Sequence, residues 1–190
     1  KGQFEFEHWS TWKTQTKDEN SFNLFQFKEE IEYGLTEHAQ LGFELPAWHF
    51  QTGPKDEKDG VRLDAIATEI RYIFLDPVTD VVGLGSKFEV GISEDVFSLE
   101  GKLILQKTWD KLEVVYNANI EAEWESEGDR RYSVKHGEFS ETIGVSYEIL
   151  DEFFIGGELL HEAPMPDWHT GEPQNLFIGP NASYHAPFDD

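Results

Sequence analysis

The chain is predicted to be all-β: an up-and-down antiparallel meander of about ten or more strands closing into a transmembrane β-barrel. Three observations predict it. Apolar and polar side chains alternate with a period of two in segment after segment, as in a strand with two unlike faces. Most of these segments reach the roughly 9–11 residues needed to cross a bilayer, against a mode of about 5–6 in soluble sheets. Long polar connections tend to alternate with tight turns, as expected of a meander with two unlike ends.

Gln3–Trp12 opens with Phe4 and Phe6 against Glu5 and Glu7, and Thr16–Asn20 is a polar loop. Phe22–Phe50 reads as a hairpin of two long strands. Phe25, Phe27, Ile31 and Tyr33 share one parity, with Gln26, Lys28, Glu30 and Glu32 on the other. Gly34–Glu37 interrupts the pattern, which restarts with Ala39, Leu41, Phe43 and Leu45 opposite His38, Gln40, Gly42 and Glu44. Gln51–Gly60 is an exposed loop rich in charge, Pro and Gly. Val61–Phe74 returns to strand and stops at Leu75-Asp76-Pro77, since proline cannot donate to a ladder.

Val82–Ile92 sets Leu84, Phe88 and Val90 against Lys87 and Glu89. After the turn Ser93–Asp95, Phe97–Lys107 sets Phe97, Leu99, Leu103 and Leu105 against Glu100, Lys102 and Gln106. Trp109–Lys111 turns tightly into Leu112–Trp124, where the alternation is unbroken and a helical period would scatter both sets. Glu125–Arg131 is a charged loop. Tyr132–Ile149 is strand, Leu150–Glu152 turns, Phe153–His161 follows, Glu162–Asn175 is a Pro-rich loop, and Leu176–His185 is the last strand. No segment reads as a helix. Leu75–Val81 is longer, and Ser93–Val96 shorter, than the alternation of connections leads one to expect.

The 190 residues suffice for one domain, 1–190. The chain ends in Pro187-Phe188-Asp189-Asp190 and not on a strand with a closing aromatic, so the expectation is a barrel that lacks its terminal strands. It begins with Lys1 and reads as a processed chain or an excerpt. Acidic residues number 38 against 15 basic, a net charge of −23, which argues against nucleic acid and against a polybasic membrane-surface protein. With no cysteine, disulfides, thiolate zinc sites and thiol catalysis are excluded.

Alternation alone does not say whether the apolar face meets lipid or a soluble core. Aromatics near strand ends (Trp9, Trp12, Tyr33, Trp48, Tyr72, Trp109, Trp124 and Tyr184) favour lipid, because such rings gather at membrane interfaces. An open sheet would also leave its edges and one apolar face exposed. Against lipid stand Glu29 and Glu141, two charges on the apolar parity, which a parity-shifting bulge would rescue. The alternative is a soluble secreted β-barrel or sandwich acting as a ligand-binding or structural protein.

In the membrane reading the polar parity lines a lumen: Lys28, Glu30, Glu32, Glu44, Glu69, Arg71, Lys87, Glu89, Glu100, Lys102, Asn117, Asn119, Glu121, Glu123, Glu138 and Glu158. Lys28, Arg71, Lys87 and Lys102 can pair there with Glu30, Glu69, Glu89 and Glu100; as exposed cross-strand pairs they would be worth only tenths of a kcal/mol each. Carboxylates two apart on one face, such as Glu5/Glu7, Glu30/Glu32 and Glu121/Glu123, have a spacing that suits glycosidase chemistry. The same spacing recurs without a singular site, so it reads as a charged face and not as an enzyme. His161-Glu162 and Asp167-Trp168-His169 match no standard metal spacing. Asp56–Gly60 lacks the periodicity of a calcium loop, and Gly83–Lys87 is followed by no helix that would make it a phosphate loop. No metal, cofactor or catalytic residue is expected.

Glu30–Leu45 (EIEYGLTEHAQLGFEL), Gly144–Glu148 with Gly156–Glu158, and Leu176–Pro180 with Tyr184 resemble bacterial outer-membrane β-barrels, the transporters grouped with the meta-pathway phenol-degradation family. The resemblance spans most of the chain through short motifs. It implies the outer membrane of a Gram-negative-type envelope, a lipid bilayer as partner, and a pore or transport role without catalytic residues. With an acidic lumen, such a pore would pass small cations or polar solutes in preference to anions.

Overall fold

The computed structural model describes residues 1–16, 19–52, 60–63, 65–126 and 132–184. It is one antiparallel sheet of twelve strands. These are β1 (Phe4–Thr16), β2 (Glu19–Gly34), β3 (Ala39–Glu44), β4 (Trp48–Thr52), β5 (Gly60–Leu63), β6 (Ile66–Leu75), β7 (Gly83–Ile92), β8 (Val96–Trp109), β9 (Leu112–Ser126), β10 (Tyr132–Leu150), β11 (Phe153–Pro164) and β12 (Asn175–Tyr184). One 3-10 turn, Pro166–Trp168, lies between β11 and β12.

The second strand of the opening hairpin is broken, where the alternation predicts one continuous strand. β3 pairs with Glu30–Gly34 and β4 with Asn23–Phe27 of the same β2. Pro46 sits at the break, where it cannot donate to the ladder. Leu45 N still bonds Glu29 O at 2.9 Å, and Ala47 N bonds Ala65 O at 3.1 Å. The segment expected as one strand, Val61–Phe74, divides at the same level, β5 pairing with β4 and β6 with β3. Counting each divided strand once leaves ten positions across the sheet, two fewer than the twelve strands. Consecutive positions are neighbours throughout, which is the up-and-down order. The candidate calcium loop and the charged loop after β9 lie largely outside the described residues.

The turns at one end are short. Asp110 and Glu152 take positive φ (54° and 64°) in the links between β8 and β9 and between β10 and β11. Between β6 and β7, Asp76 ties a longer turn by accepting from Val78 N at 2.7 Å and Thr79 N at 3.2 Å.

The sheet is open, where the sequence led to closure. β1 pairs only with β2 and β12 only with β11 among the described residues. Pro180 removes one donor from β12, a residue sheets tolerate at edges.

The faces are unlike, and the buried one is charged. Glu30, Glu32 and Glu69 are 3%, 1% and 5% exposed, whereas Ala122 is the only buried apolar side chain among the described residues. Phe6, Ile66, Phe88, Ile120 and Ile178 stand out on the other face. Among the described residues no second layer covers the sheet, so burial on one side alone requires it to curl over its charged face.

Candidate functional site

The charged face is assembled by register. Glu7 stands opposite Glu30, Glu30 opposite Glu44, Glu69 opposite Glu89, Glu89 opposite Glu100, Glu100 opposite Glu121, and Glu121 opposite Glu138. Like charges opposed across a sheet are unfavourable. The neighbouring row supplies the counterions.

Arg71 lies among three carboxylates from two strands. Its Nε is 2.5 Å from Glu69 Oε1 and one terminal nitrogen is 3.6 Å from Glu30 Oε1, while the other pairs with Glu32 Oε1. Those three oxygens are buried and make no other hydrogen bond. Gln40 Nε2 donates to the second oxygen of Glu32. The carboxylates converge within 4.8 Å, close enough to hold a hard cation, but the guanidinium already fills that part.

Lys87 bridges the next set, 3.2 Å from Glu69, 2.7 Å from Glu89 and 2.9 Å from Glu100. Lys102 reaches Glu100 at 3.4 Å. Lys28 pairs with Glu44 at 2.5 Å and not with Glu30. The result is a charge lattice spanning β2, β3, β6, β7 and β8.

Room for the lattice comes from Gly42. A Cβ there would lie 2.6 Å from both Glu30 Oε1 and Glu69 Cγ. Gly42→Val is therefore expected to lower stability by about 1–3 kcal/mol through overpacking, read as a lower denaturant midpoint of the protein refolded in detergent micelles. An unchanged midpoint would show that the lattice has slack.

The remaining residues of the predicted lining divide. Glu121, Glu123 and Glu138 continue the carboxylate row. The Asn119 amide stands beside Glu100 at 3.3 Å. Asn117 Nδ2 donates to Thr142 Oγ1 at 2.9 Å, and Glu158 lies apart, accepting from Asn181 Nδ2 at 2.8 Å. Sequence reasoning left Gln40, Thr142 and Asn181 out of the lining; their parity was the available signal.

Two exceptions on the apolar parity, Glu29 and Glu141, keep that parity. Register is continuous through Glu141 on both sides and through Glu29 against β1. On the other side of β2 it slips by one residue between Glu30 opposite Glu44 and Phe27 opposite Trp48, in the link from β3 to β4, and Glu29 stays on the apolar face. Each is met by a histidine of the adjacent strand, His8 Nδ1 at 3.0 Å from Glu29 and His161 Nδ1 at 3.3 Å from Glu141. Tyr116 also donates its hydroxyl to Glu141.

Aromatic contacts mark both strand ends on the apolar face. Phe4 meets Tyr33 at 4.7 Å and Tyr72 meets Phe74 at 4.9 Å near the short turns. Trp12 meets Phe25 at 5.9 Å, Phe27 meets Trp48 at 4.2 Å and Phe97 meets Trp124 at 5.6 Å near the other end. Trp9 does not belong to this set. It stands opposite Lys28 and donates to Glu7 at 3.0 Å, on the charged face.

A search of curated proteins found no match to the chain. Residues 1–187 match a family described as a family of unknown function, DUF6662. With nearly its whole length matched, the chain belongs to the DUF6662 family.

Proposed function

We propose that the chain forms the wall of an outer-membrane β-barrel, a pore or transporter whose acidic interior favours small cations. One observation carries this reading: the sheet buries charge and exposes its large apolar side chains. Phe6 is 64% exposed and Ile178 85%, while Glu32 is 1% exposed. In water this arrangement forgoes about 25 cal/mol for every Å² of apolar surface left uncovered. In a bilayer the same face meets hydrocarbon, and the charges line a polar interior. The aromatic pairs at the two strand ends fit the two interfaces. Closure is stereochemically open to this sheet, because ten positions across make the first and last strands antiparallel. The likeness to outer-membrane transporters points the same way.

The interior potential should be negative. Glu30, Glu32, Glu44, Glu69, Glu89, Glu100, Glu121, Glu123 and Glu138 outnumber Lys28, Arg71, Lys87 and Lys102, and a narrow low-dielectric passage focuses that field. The expected result is a protein that needs detergent for extraction, shifts in gel mobility on boiling, and conducts cations over anions in a planar bilayer. Glu121→Gln with Glu123→Gln should reduce the preference. High salt should reduce it by screening, and low pH by neutralising carboxylates. A monodisperse monomer in plain buffer would overturn the barrel and leave the soluble ligand-binding protein. An anion-selective pore would overturn the lumen assignment.

A further inference from the structure

We infer that the part of the charged face outside the lattice holds a binding site for a small hydroxylated organic cation, of the protonated amine class. The proposal rests on the reading of this face as the barrel interior. A cavity of about 260 Å³ lies over β9 to β12, lined by Val115, Gly144 and Val145 and by six polar residues, Glu113, Asn117, Thr142, Ser146, Glu158 and Asn181. All six side chains are on the polar parity. Glu113 is opposite Ser146, Asn117 opposite Thr142, and Glu158 opposite Gly144. Gly144 opens the floor, since a Cβ there would meet nothing nearer than Glu158 Cγ at 3.8 Å.

The two carboxylates differ from those of the lattice in their partners. Glu113 accepts from Gln106 Nε2 at 2.7 Å and from Thr108 Oγ1 at 3.4 Å. Glu158 accepts from Asn181 Nδ2 at 2.8 Å. Among the described residues neither has a cationic partner, whereas Glu44, Glu69, Glu89 and Glu100 each have a lysine. Two acids without a counterion, set among amides and hydroxyls, suit a guest that brings positive charge and several O–H or N–H groups. A bare metal ion suits them less, because neither belongs to the clusters of converging carboxylates.

Asn181 is held where it can serve Glu158. A Cβ on Gly156 would fall 2.7 Å from Asn181 Oδ1 and 1.9 Å from Val145 O. Glycine is required there first by the Val145 carbonyl, and it also leaves room for the Asn181 amide beside β11.

The test is calorimetric titration of the refolded protein in detergent micelles with glucosamine, and with glucose as the uncharged isostere. Glucosamine should bind saturably and glucose should not. Glu158→Gln and Glu113→Gln, each nearly isosteric, should weaken binding by about tenfold or more, the loss of a charge-assisted contact. Ser146→Val, which takes volume from the cavity, should weaken it independently. Ile120→Val, on the apolar face of β9, should leave it unchanged. Equal binding of both sugars, no saturable binding, or indifference to Glu158→Gln and Ser146→Val in variants that keep the gel shift on boiling would overturn the inference. Because the titration needs no conductance, a failed site and a failed pore are told apart: the pore fails on extraction and current, the site on the titration.

Discussion

Arg71→Met is expected to be among the most damaging single substitutions in this chain, lowering stability by about 3–5 kcal/mol. The reason is what it leaves behind. Glu30, Glu32 and Glu69 are almost fully buried, and Arg71 is the cation that contacts all three. Removing one partner of a buried pair strands the other charge in a medium that solvates it poorly, and here three carboxylates lose their shared partner at once. Lys87 would still reach Glu69, at 3.2 Å, but Glu30 and Glu32 would keep no cation within pairing distance among the described residues. Arg71→Lys should recover only part of the loss, because an ammonium cannot fork toward carboxylates on separate strands. Lys102→Met is the comparison, with one contact at 3.4 Å from a half-exposed side chain, and should cost less than 1 kcal/mol. Denaturant midpoints of the refolded proteins measure all three. Adding Glu30→Gln and Glu32→Gln to Arg71→Met should restore much of the midpoint. A cost below about 1 kcal/mol for Arg71→Met, or no rescue by the glutamines, would mean that water and not Arg71 solvates these carboxylates.

A one-residue insertion after Ala118 should abolish folding outright. β9 is paired on both sides along nearly its whole length, Leu112 to Ser126, without a register shift against β8. Side chains alternate strictly, so one extra residue sends every following side chain to the other face. Glu121 and Glu123 would leave the carboxylate row for the apolar surface, and Ile120 and Trp124 would turn inward. A charged side chain on the lipid face costs up to about 2–4 kcal/mol near mid-membrane, so two already rival the stability of a typical domain. A bulge could absorb the insertion, but the bulges of β10 lie toward its ends, between Val134 and His136 and between Glu148 and Leu150. The measurement is the boiling-dependent gel shift after refolding, with Ala118→Ser as the point-substitution control. An insertion variant that folds as the parent does would show that the faces of this strand are not the organising feature.

The alternation that makes these predictions possible is legible in the residues alone. Val114, Tyr116, Ala118, Ile120 and Ala122 share one face of β9 and Asn117, Asn119, Glu121 and Glu123 the other, as their cross-strand partners show. The break at Pro46 is also written in the chain, yet the alternation on either side of it hides the interruption. Glu29 and Glu141 are visible as exceptions but not as resolved ones. Their histidines lie 21 and 20 residues away along the chain, and only the register of neighbouring strands brings each pair together.

The sequence by itself determined which side chains travel together, because alternation along a strand follows from the backbone of that strand alone. The up-and-down order was equally local, set by turns and prolines, whereas the division of two strands at the level of Pro46 was not read from the alternation. The tertiary structure decided the rest. That one arginine serves three glutamates, that Lys28 takes Glu44, and that Glu113 and Glu158 are left to amides all depend on register and on the curl of the sheet. Those are properties of hydrogen bonds between strands, and no single strand carries them.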